Sequence, residues 1–389
     1  MQEKVESRRV PSTPMKVVVV ASDIITPYGM GVDACWRGIM ANRTAVTRLT
    51  RFKTRAFHSD YAGSITELVY HGKYSLVMQM LTLLFDRNAE LIPRDAKLVL
   101  ATTKGEIDLL ERSVLEGIGD AAESSLECLL EKVVALTGVK GGSIIVSSAC
   151  TSSAAAAARA AAMIRRGYAE CILLVACDGV TEFLFSGFSS LMALDKSPAK
   201  PFDANRAGLN VGEAAAFALI MSEERAQREH RAILGEIAGW GLSDDANHMT
   251  GPSRESEGLI LAVSKALMSA GIGQQQIGFI AAHGTGTVYN DAMEMRAFHS
   301  IFKDRKLPVY SIKGGIGHTM GAAGLVEMII AQQAQRENVV PPTVNLKMVD
   351  DDANGWASAL QQPIKRDMMA LVTNAGFSGV NSALVLARA

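Results

Sequence analysis

Ser143-Ile144-Ile145-Val146-Ser147-Ser148-Ala149-Cys150-Thr151-Ser152-Ser153 runs into an alanine-rich segment that continues to Arg166. Ile144 to Val146 are apolar and β-branched between Gly142 and the serines, the pattern of a short buried strand. From Thr151 to Arg166 the chain is mostly alanine with no Pro or Gly, the pattern of a helix. Cys150 therefore falls at a strand-to-helix turn. The free N–H groups and the positive dipole end at a helix start favour the thiolate, which is the nucleophilic form of cysteine. A buried cysteine packed as a small hydrophobe is the competing reading, and this stretch alone does not separate the two.

On either side, strand and helix patterns alternate. Residues 16–21 form an apolar strand pattern, followed by turn residues over 26–31 and a helical pattern over 32–40. A helix over 76–90, a strand over 97–103 and a helix over 126–136 lead into the Cys150 unit, and strands over 170–177 and 214–221 follow it. A charged helix over 223–231 closes this part. The pattern then restarts with a strand over 233–240, a helix over 257–270, strands over 277–282 and 308–312, a helix over 321–330, and strands over 369–373 and 382–387. Apolar strands alternating with helices predict a largely parallel sheet. The repetition predicts two similar βαβ-rich halves, 16–231 and 232–389, after a flexible tail over 1–15, with a site between the halves at the strand ends.

Composition narrows the function classes. The 389 residues are 48% hydrophobic with a formal net charge of −1, and the pI is near 6.7. Such a chain fills more than one core unit and carries no charge excess that would recommend nucleic acid or an anionic membrane. The cysteines Cys35, Cys128, Cys150, Cys171 and Cys177 are odd in number and lack C-x-x-C spacing, which fits neither a disulfide framework nor a zinc site and suits a reducing cytoplasm. The N-terminal residues lack the apolar core of a secretory signal, and no apolar stretch approaches the length of a membrane span.

Two histidines stand out from the seven. His283 lies in Ala-Ala-His283-Gly-Thr285-Gly-Thr287 directly after a strand pattern, and His318 lies in Lys313-Gly-Gly-Ile-Gly-His318-Thr-Met-Gly321. Glycine around each imidazole lets a substrate approach closely. A lone loop histidine is ordinarily solvated, but two in glycine-rich strand-end turns beside a helix-start cysteine point to chemistry. His58, His71, His230, His248 and His299 have no such setting and are taken as surface residues. Metal-ligand spacing is absent around His283 and His318, so no metal is expected. The basic segment over 42–53, with Arg43, Arg48, Arg51 and Lys53, suits either a solvated face or a dock for an acidic partner.

Ser148-Ala-Cys150-Thr-Ser, Pro201-Phe-Asp203 with Arg206, Gly208 and Gly212-Glu213, His283-Gly-Thr-Gly-Thr287, Lys313 with Gly317-His318, and Gly376-Phe377-Ser-Gly-Val-Asn381 occur in the order and spacing of a known family. Together they resemble the elongating β-ketoacyl-acyl carrier protein synthases of the thiolase superfamily, from about residue 16 to the C-terminus. The resemblance implies an α/β, thiolase-like, five-layered αβαβα fold made of two similar halves. It also implies a homodimer, or a heterodimer with a synthase-like partner, and decarboxylative Claisen condensation. Cys150 would carry the acyl chain, His283 and His318 would hold the enolate formed from malonyl-acyl carrier protein, and Lys313 would pair with Glu327 and set the local electrostatics. The N–H groups of Cys150 and Phe377 would clamp the tetrahedral intermediate, with Phe377 also a gate between the substrates. Thr285 and Thr287 would contact the phosphopantetheine arm of acyl carrier protein, and no further cofactor is implied. Asp291 and Glu294, and a buried polar network of Asp203, Arg206 and Glu213, would support the site. The acidic carrier would dock on cations such as Arg43, Arg51, Lys53, Lys196 and Lys200.

Departures from the family pattern suggest a specialised, divergent member, so the expected pathway is fatty acid synthesis or specialised polyketide or aryl-polyene-type synthesis. Gly212-Glu213 is followed by Ala214-Ala215, the segment over 102–107 is poor in glycine, and the region over 61–97 is short. The principal alternative is a non-catalytic chain-length-factor-like partner, against which Cys150 itself argues. A degradative thiolase would need a second active cysteine near the C-terminus, and none follows Cys177.

Overall fold

The computed structural model describes residues 15–70 and 74–389. The expected tail therefore lies outside the described residues except for Met15, and so does His71. Five principal strands come from the first half: β1 (Val17–Thr26), β2 (Lys97–Ala101), β3 (Ser143–Val146), β4 (Cys171–Asp178) and β5 (Ala214–Ser222). Five come from the second: β6 (Gly235–Asp244), β7 (Ile277–Ala281), β8 (Val309–Tyr310), β9 (Met369–Ala375) and β10 (Val380–Ala387). Their spatial orders are β3-β2-β4-β5-β1 and β8-β7-β9-β10-β6, the same arrangement twice. The two sets meet only where β1 lies against β6, through Val18 opposite Glu236 and Val19 opposite Gly235.

This topology corrects the expected largely parallel sheet. In each half the outer three strands are parallel, while the inner pairings are antiparallel. A strand covered on both faces becomes apolar throughout whichever way its neighbours run, so β4 and β5, buried at every residue, gave no sign of pairing direction. A second correction concerns β3. It is the edge strand of its half, and Ile144 is 37% exposed, so its apolar residues are not all in the core.

Helices fill three layers around the two sets of strands. The Ser152–Arg165 and Ala323–Glu337 helices hold equivalent places and pack on one another between the sheets. Alanine suits the first because a thin side chain lets backbones come close. A Cβ added to Gly324 would lie 2.8 Å from the backbone nitrogen of Ala154. Leu76–Asp86 and Leu126–Thr137 cover the outer face of the first sheet with Leu, Val and Met. Glu257–Ala270 and Val288–Phe302 cover the second. The result is the five-layered αβαβα thiolase-like arrangement. The helices Val32–Met40 and Glu257–Ala270 occupy the residues their patterns predict. Val288–Phe302, Ile107–Glu116 and Glu182–Ser190 were not anticipated. Among the described residues no helix is long and apolar enough to cross a membrane.

Candidate active site

Between β3 and the Ser152–Arg165 helix the chain makes a tight turn in which Ala149 takes a left-handed φ of 45°. Local hydrogen bonds hold it: the Ser148 N–H donates to Ser152 Oγ at 2.8 Å, and Ser152 Oγ donates to the Ala149 carbonyl at 2.6 Å. Such a conformation is costly for a residue with a Cβ and persists where the surroundings determine it. Its effect is to present Cys150, 6% exposed, to a cavity of about 440 Å³. Burial pushes the thiol up to about 11, against which the Lys313 ammonium and the backbone N–H groups of Phe377 and Cys150 act, while Asp178 adds to the rise. The expectation of an easily ionised cysteine is corrected. Desolvation outweighs the helix start, and the resting group is the thiol.

The second half delivers the imidazoles to the same point. Cys150 Sγ and ring nitrogens of His283 and His318 all lie within 4.8 Å of one another. The two rings meet edge to face with centroids 5.0 Å apart. His283 follows β7, and its turn is fixed from below by two buried acids on the Val288–Phe302 helix. Glu294 accepts from the N–H groups of His283 at 2.8 Å and Gly284 at 2.6 Å. Asp291 accepts from Thr285 at 3.0 Å, Gly286 at 3.2 Å and Phe202 at 2.8 Å. Burial, then the nearby Asp291 charge, pushes Glu294 up to about 7. His318 is held through its backbone, donating to the Asn210 carbonyl at 2.7 Å and accepting from the Gly212 N–H at 2.8 Å. Only glycine fits at 212, because a Cβ there would lie 2.2 Å from the Ile316 carbonyl oxygen.

Hydrogen-bond partners assign both tautomers. The Met320 N–H donates to His318 Nδ1 at 3.2 Å, so that nitrogen accepts and Nε2 carries the proton. His283 Nδ1 faces two donors, Lys313 Nζ at 3.3 Å and Asn374 Nδ2 at 3.4 Å, and takes the same tautomer. Burial and the Lys313 charge hold both imidazoles well below their ordinary range. The pair therefore offers two neutral Nε2–H donors. Lys313 Nζ also bonds the His283 carbonyl and Glu327, and Asn374 bonds the other oxygen of Glu327. The Cys/His/His trio has donors that a soft transition metal accepts. The ammonium lying against His283 sets a positive charge against any dication.

The expected residues divide into three groups. Cys150, His283, His318, Lys313 and Glu327 converge, and Phe377, Thr285 and Thr287 line the cavity they face. Phe377 packs on Phe188 with ring centroids 5.6 Å apart, and the two threonine hydroxyls bond each other at 2.9 Å. Asp203 and Glu213 are buried and Arg206 is half-buried; Arg206 donates to the Asp203 carbonyl at 2.9 Å, but Glu213 stands apart, so the three do not form one network. Asp203 accepts from the N–H groups of Lys347 and Met348 at 2.8 Å, while Arg206 pairs with Asp350. Glu213 instead takes a two-pronged bond from Arg51, 2.7 Å at each oxygen, with the N–H groups of Ile65 and Val180. The Arg51 side chain is 6% exposed, so it is not available for docking. Sequence reasoning missed Asn374, which appears only as a polar interruption of an apolar strand. It also missed His248, taken as a surface residue, which is exposed but lines the cavity mouth.

The model of the β-ketoacyl synthase N-terminal domain matches residues 131–226, and that of the C-terminal domain matches 234–347, together more than half the chain. The chain belongs to the β-ketoacyl synthase family. Among curated relatives of this synthase is 3-oxoacyl-acyl-carrier-protein synthase 2 of Coxiella burnetii, 28% identical across 96% of this chain and 98% of that protein. Among solved structures, the ishigamide ketosynthase/chain length factor superposes with a TM-score of 0.87 at 26% identity, over 97% of this chain and 100% of the other. A ketosynthase in complex with its type II PKS acyl-carrier protein shares the fold at TM-score 0.87 and 23% identity, over 97% and 100% of the two chains. The family membership makes this protein a transferase, a β-ketoacyl synthase of fatty acid or polyketide synthesis.

Proposed function

We propose that this synthase forms its carbon–carbon bond by decarboxylative Claisen condensation at the Cys150, His283 and His318 cluster. The observation that carries the reading is that a ring nitrogen of His283 and one of His318 converge on the Cys150 sulfur, while the Nδ1 of each ring faces a hydrogen-bond donor and so leaves Nε2–H as the ring's own donor. In the first step Cys150 attacks the carbonyl of an acyl thioester. The carbon–sulfur bond to the phosphopantetheine arm breaks, and the thiol proton leaves with the departing sulfur. The acyl group then occupies Sγ, within reach of the Cys150 and Phe377 N–H groups. In the second step a malonyl thioester loses carbon dioxide, and its enolate oxygen takes hydrogen bonds from both imidazoles. The enolate carbon attacks the acyl carbonyl, the two N–H groups hold the oxyanion, and collapse returns the Cys150 sulfur, which takes a proton.

Lys313 and Glu327 position this site. The ammonium donates toward His283 Nδ1 and so keeps the other nitrogen protonated for the enolate. Acyl carrier protein is the partner that would bring both thioesters, its arm passing Thr285 and Thr287. Around the mouth, Arg254 and Arg296 line a hollow that shares His248 and Tyr289 with the active-site cavity. They join Arg43, Lys53, Lys196 and Lys200 as cations for the acidic carrier. The β3 edge, unpaired among the described residues and carrying the exposed Ile144, supports pairing with a second copy or a synthase-like partner. The likeness to a ketosynthase/chain length factor keeps a non-catalytic partner in view, and the intact cluster favours the catalytic role. The test is carbon dioxide release from malonyl-acyl carrier protein. His283→Ala and His318→Ala are each expected to slow it by about 10²–10³-fold, and an undiminished rate in both would refute the roles.

A further inference from the structure

Strand β4 is buried at every residue, yet it ends in an acid, Asp178. A carboxylate so placed needs its acceptor sites answered, and Asp178 draws donors from both halves of the molecule. Oδ1 accepts from the hydroxyls of Thr102 and Thr103, each at 2.9 Å, and from the N–H groups of Thr103 at 3.1 Å and Lys104 at 3.3 Å. Oδ2 accepts from the Thr103 N–H at 3.0 Å and, across the boundary between the halves, from the Gly321 N–H at 2.7 Å. Three other buried acids of the first half answer groups of their own half. Glu106 bonds Ser75, Asp108 the Leu76 N–H, and Glu111 the N–H groups of Glu182 and Phe183. The condensation steps use neither Asp178 nor its threonines, although the segment over 102–107 is one of the departures from the family pattern.

The bond to Gly321 falls beside His318. Met320 is left-handed at φ 47°, and its N–H donates to His318 Nδ1 at 3.2 Å. The next N–H along the chain is that of Gly321, which Asp178 holds. The α-carbon of Met320 is therefore gripped on both sides, by the imidazole at one amide and the carboxylate at the other. A left-handed residue with a side chain persists where its surroundings determine it. Release of the Gly321 N–H would let Met320 relax and turn its own N–H away from the ring. The contact is close, since a Cβ added to Gly321 would lie 2.7 Å from Asp178 Oδ2 and 3.1 Å from Thr103 Cγ2.

We propose that Asp178 is a positioning residue that fixes the tautomer of His318 from the opposite half of the molecule. By holding the Gly321 N–H it keeps the Met320 N–H on His318 Nδ1, so that Nε2 carries the proton offered to the enolate. The use of that proton rests on the condensation reading; the anchoring of the ring does not. Asp178→Asn breaks the arrangement with almost no change of shape. Both carboxylate oxygens face backbone N–H groups, so whichever way the new amide turns, its NH2 opposes a donor and one of the two contacts is released.

Nitrogen NMR of the full chain carrying nitrogen-labelled histidine separates protonated from bare ring nitrogens, with the signals assigned by their loss in His283→Ala and His318→Ala. Wild-type His318 is expected in a single tautomer with Nδ1 bare. In Asp178→Asn it is expected to exchange between tautomers, while His283, whose turn is held by Asp291 and Glu294, keeps its signals. Gly321→Ala crowds the same contact from the other side and is expected to give the same change. Uptake of one acyl residue on Cys150 shows that either variant is folded. Carbon dioxide release from malonyl-acyl carrier protein is expected to slow by about tenfold to a hundredfold in both, more than Cys150 acylation does. Unchanged His318 signals in the folded variants would overturn the proposal. An altered tautomer with undiminished carbon dioxide release would uphold the anchor and refute the enolate role of His318 instead.

Discussion

The junctions that follow β3 and β8 hold equivalent places in the two halves, and each leads into one of the two central helices. The first spans only 147–151, the second 311–322. Each contains a non-glycine residue in the left-handed region, Ala149 at φ 45° and Met320 at φ 47°. The short junction delivers one side chain, Cys150, to the start of its helix. The long one has room for the helical turn Lys313–Ile316 and delivers both an ammonium and an imidazole. Duplication fixes where chemistry can sit, and junction length fixes how many groups arrive there.

The largest effect that would sharpen this contrast lies in the long junction. Lys313 and Glu327 are both 2% exposed, so removing one partner leaves a buried charge unpaired. Glu327→Ala is expected to destabilise the protein by about 3–5 kcal/mol, measured by chemical denaturation. Replacing both by methionine should recover most of that stability without restoring condensation. If Glu327→Ala costs nothing, the pair is not what anchors the long junction.

An intermediate effect links the two junctions through charge. A thiol held near 11 is mostly protonated at neutral pH. Alkylation of Cys150 by iodoacetamide should therefore accelerate about tenfold per pH unit through 7–9 with no plateau near the ordinary cysteine value of about 8.5. Lys313 lowers the thiol from across the site, so Lys313→Met should push it higher and slow alkylation at every pH below the plateau. A plateau near 8.5, or faster alkylation in the variant, would break the electrostatic link between the junctions.

The smallest effect isolates backbone strain. Ala149→Gly relieves the left-handed alanine at the cost of added chain freedom and should stabilise by about 0.5–1 kcal/mol. The same change at Met320, whose side chain is buried, should have the opposite sign. Equal signs in paired denaturation curves would mean that the two junctions are not strained alike.

Much of this architecture was legible beforehand because periodicity reports burial. Helices Val32–Met40 and Glu257–Ala270 and the strand at 277–282 followed from pattern alone, and the strand-to-helix position of Cys150 followed from β-branched residues giving way to alanine. Pairing direction was not legible, since an apolar run suits parallel and antiparallel neighbours equally, and the exposed edge of β3 looks buried in its letters. The Val288–Phe302 helix was missed because its buried face is partly acidic, Asp291 and Glu294 serving the His283 turn. Arg51 was misjudged because its partner, Glu213, is remote in sequence. The state of Cys150 depends on burial against local charge, which no spacing expresses. The cluster itself was legible through the family resemblance, while Asn374 needed coordinates.

Intact mass after incubation with a panel of acyl-acyl carrier proteins, comparing wild type with Cys150→Ala, tests the central claim most directly. Acylation of wild type alone, by one acyl residue, is the expected result, and the preferred acyl group would separate fatty acid from specialised synthesis. Acylation of the variant to the same extent, or of neither protein by any donor, would contradict the assignment of Cys150 as the nucleophile.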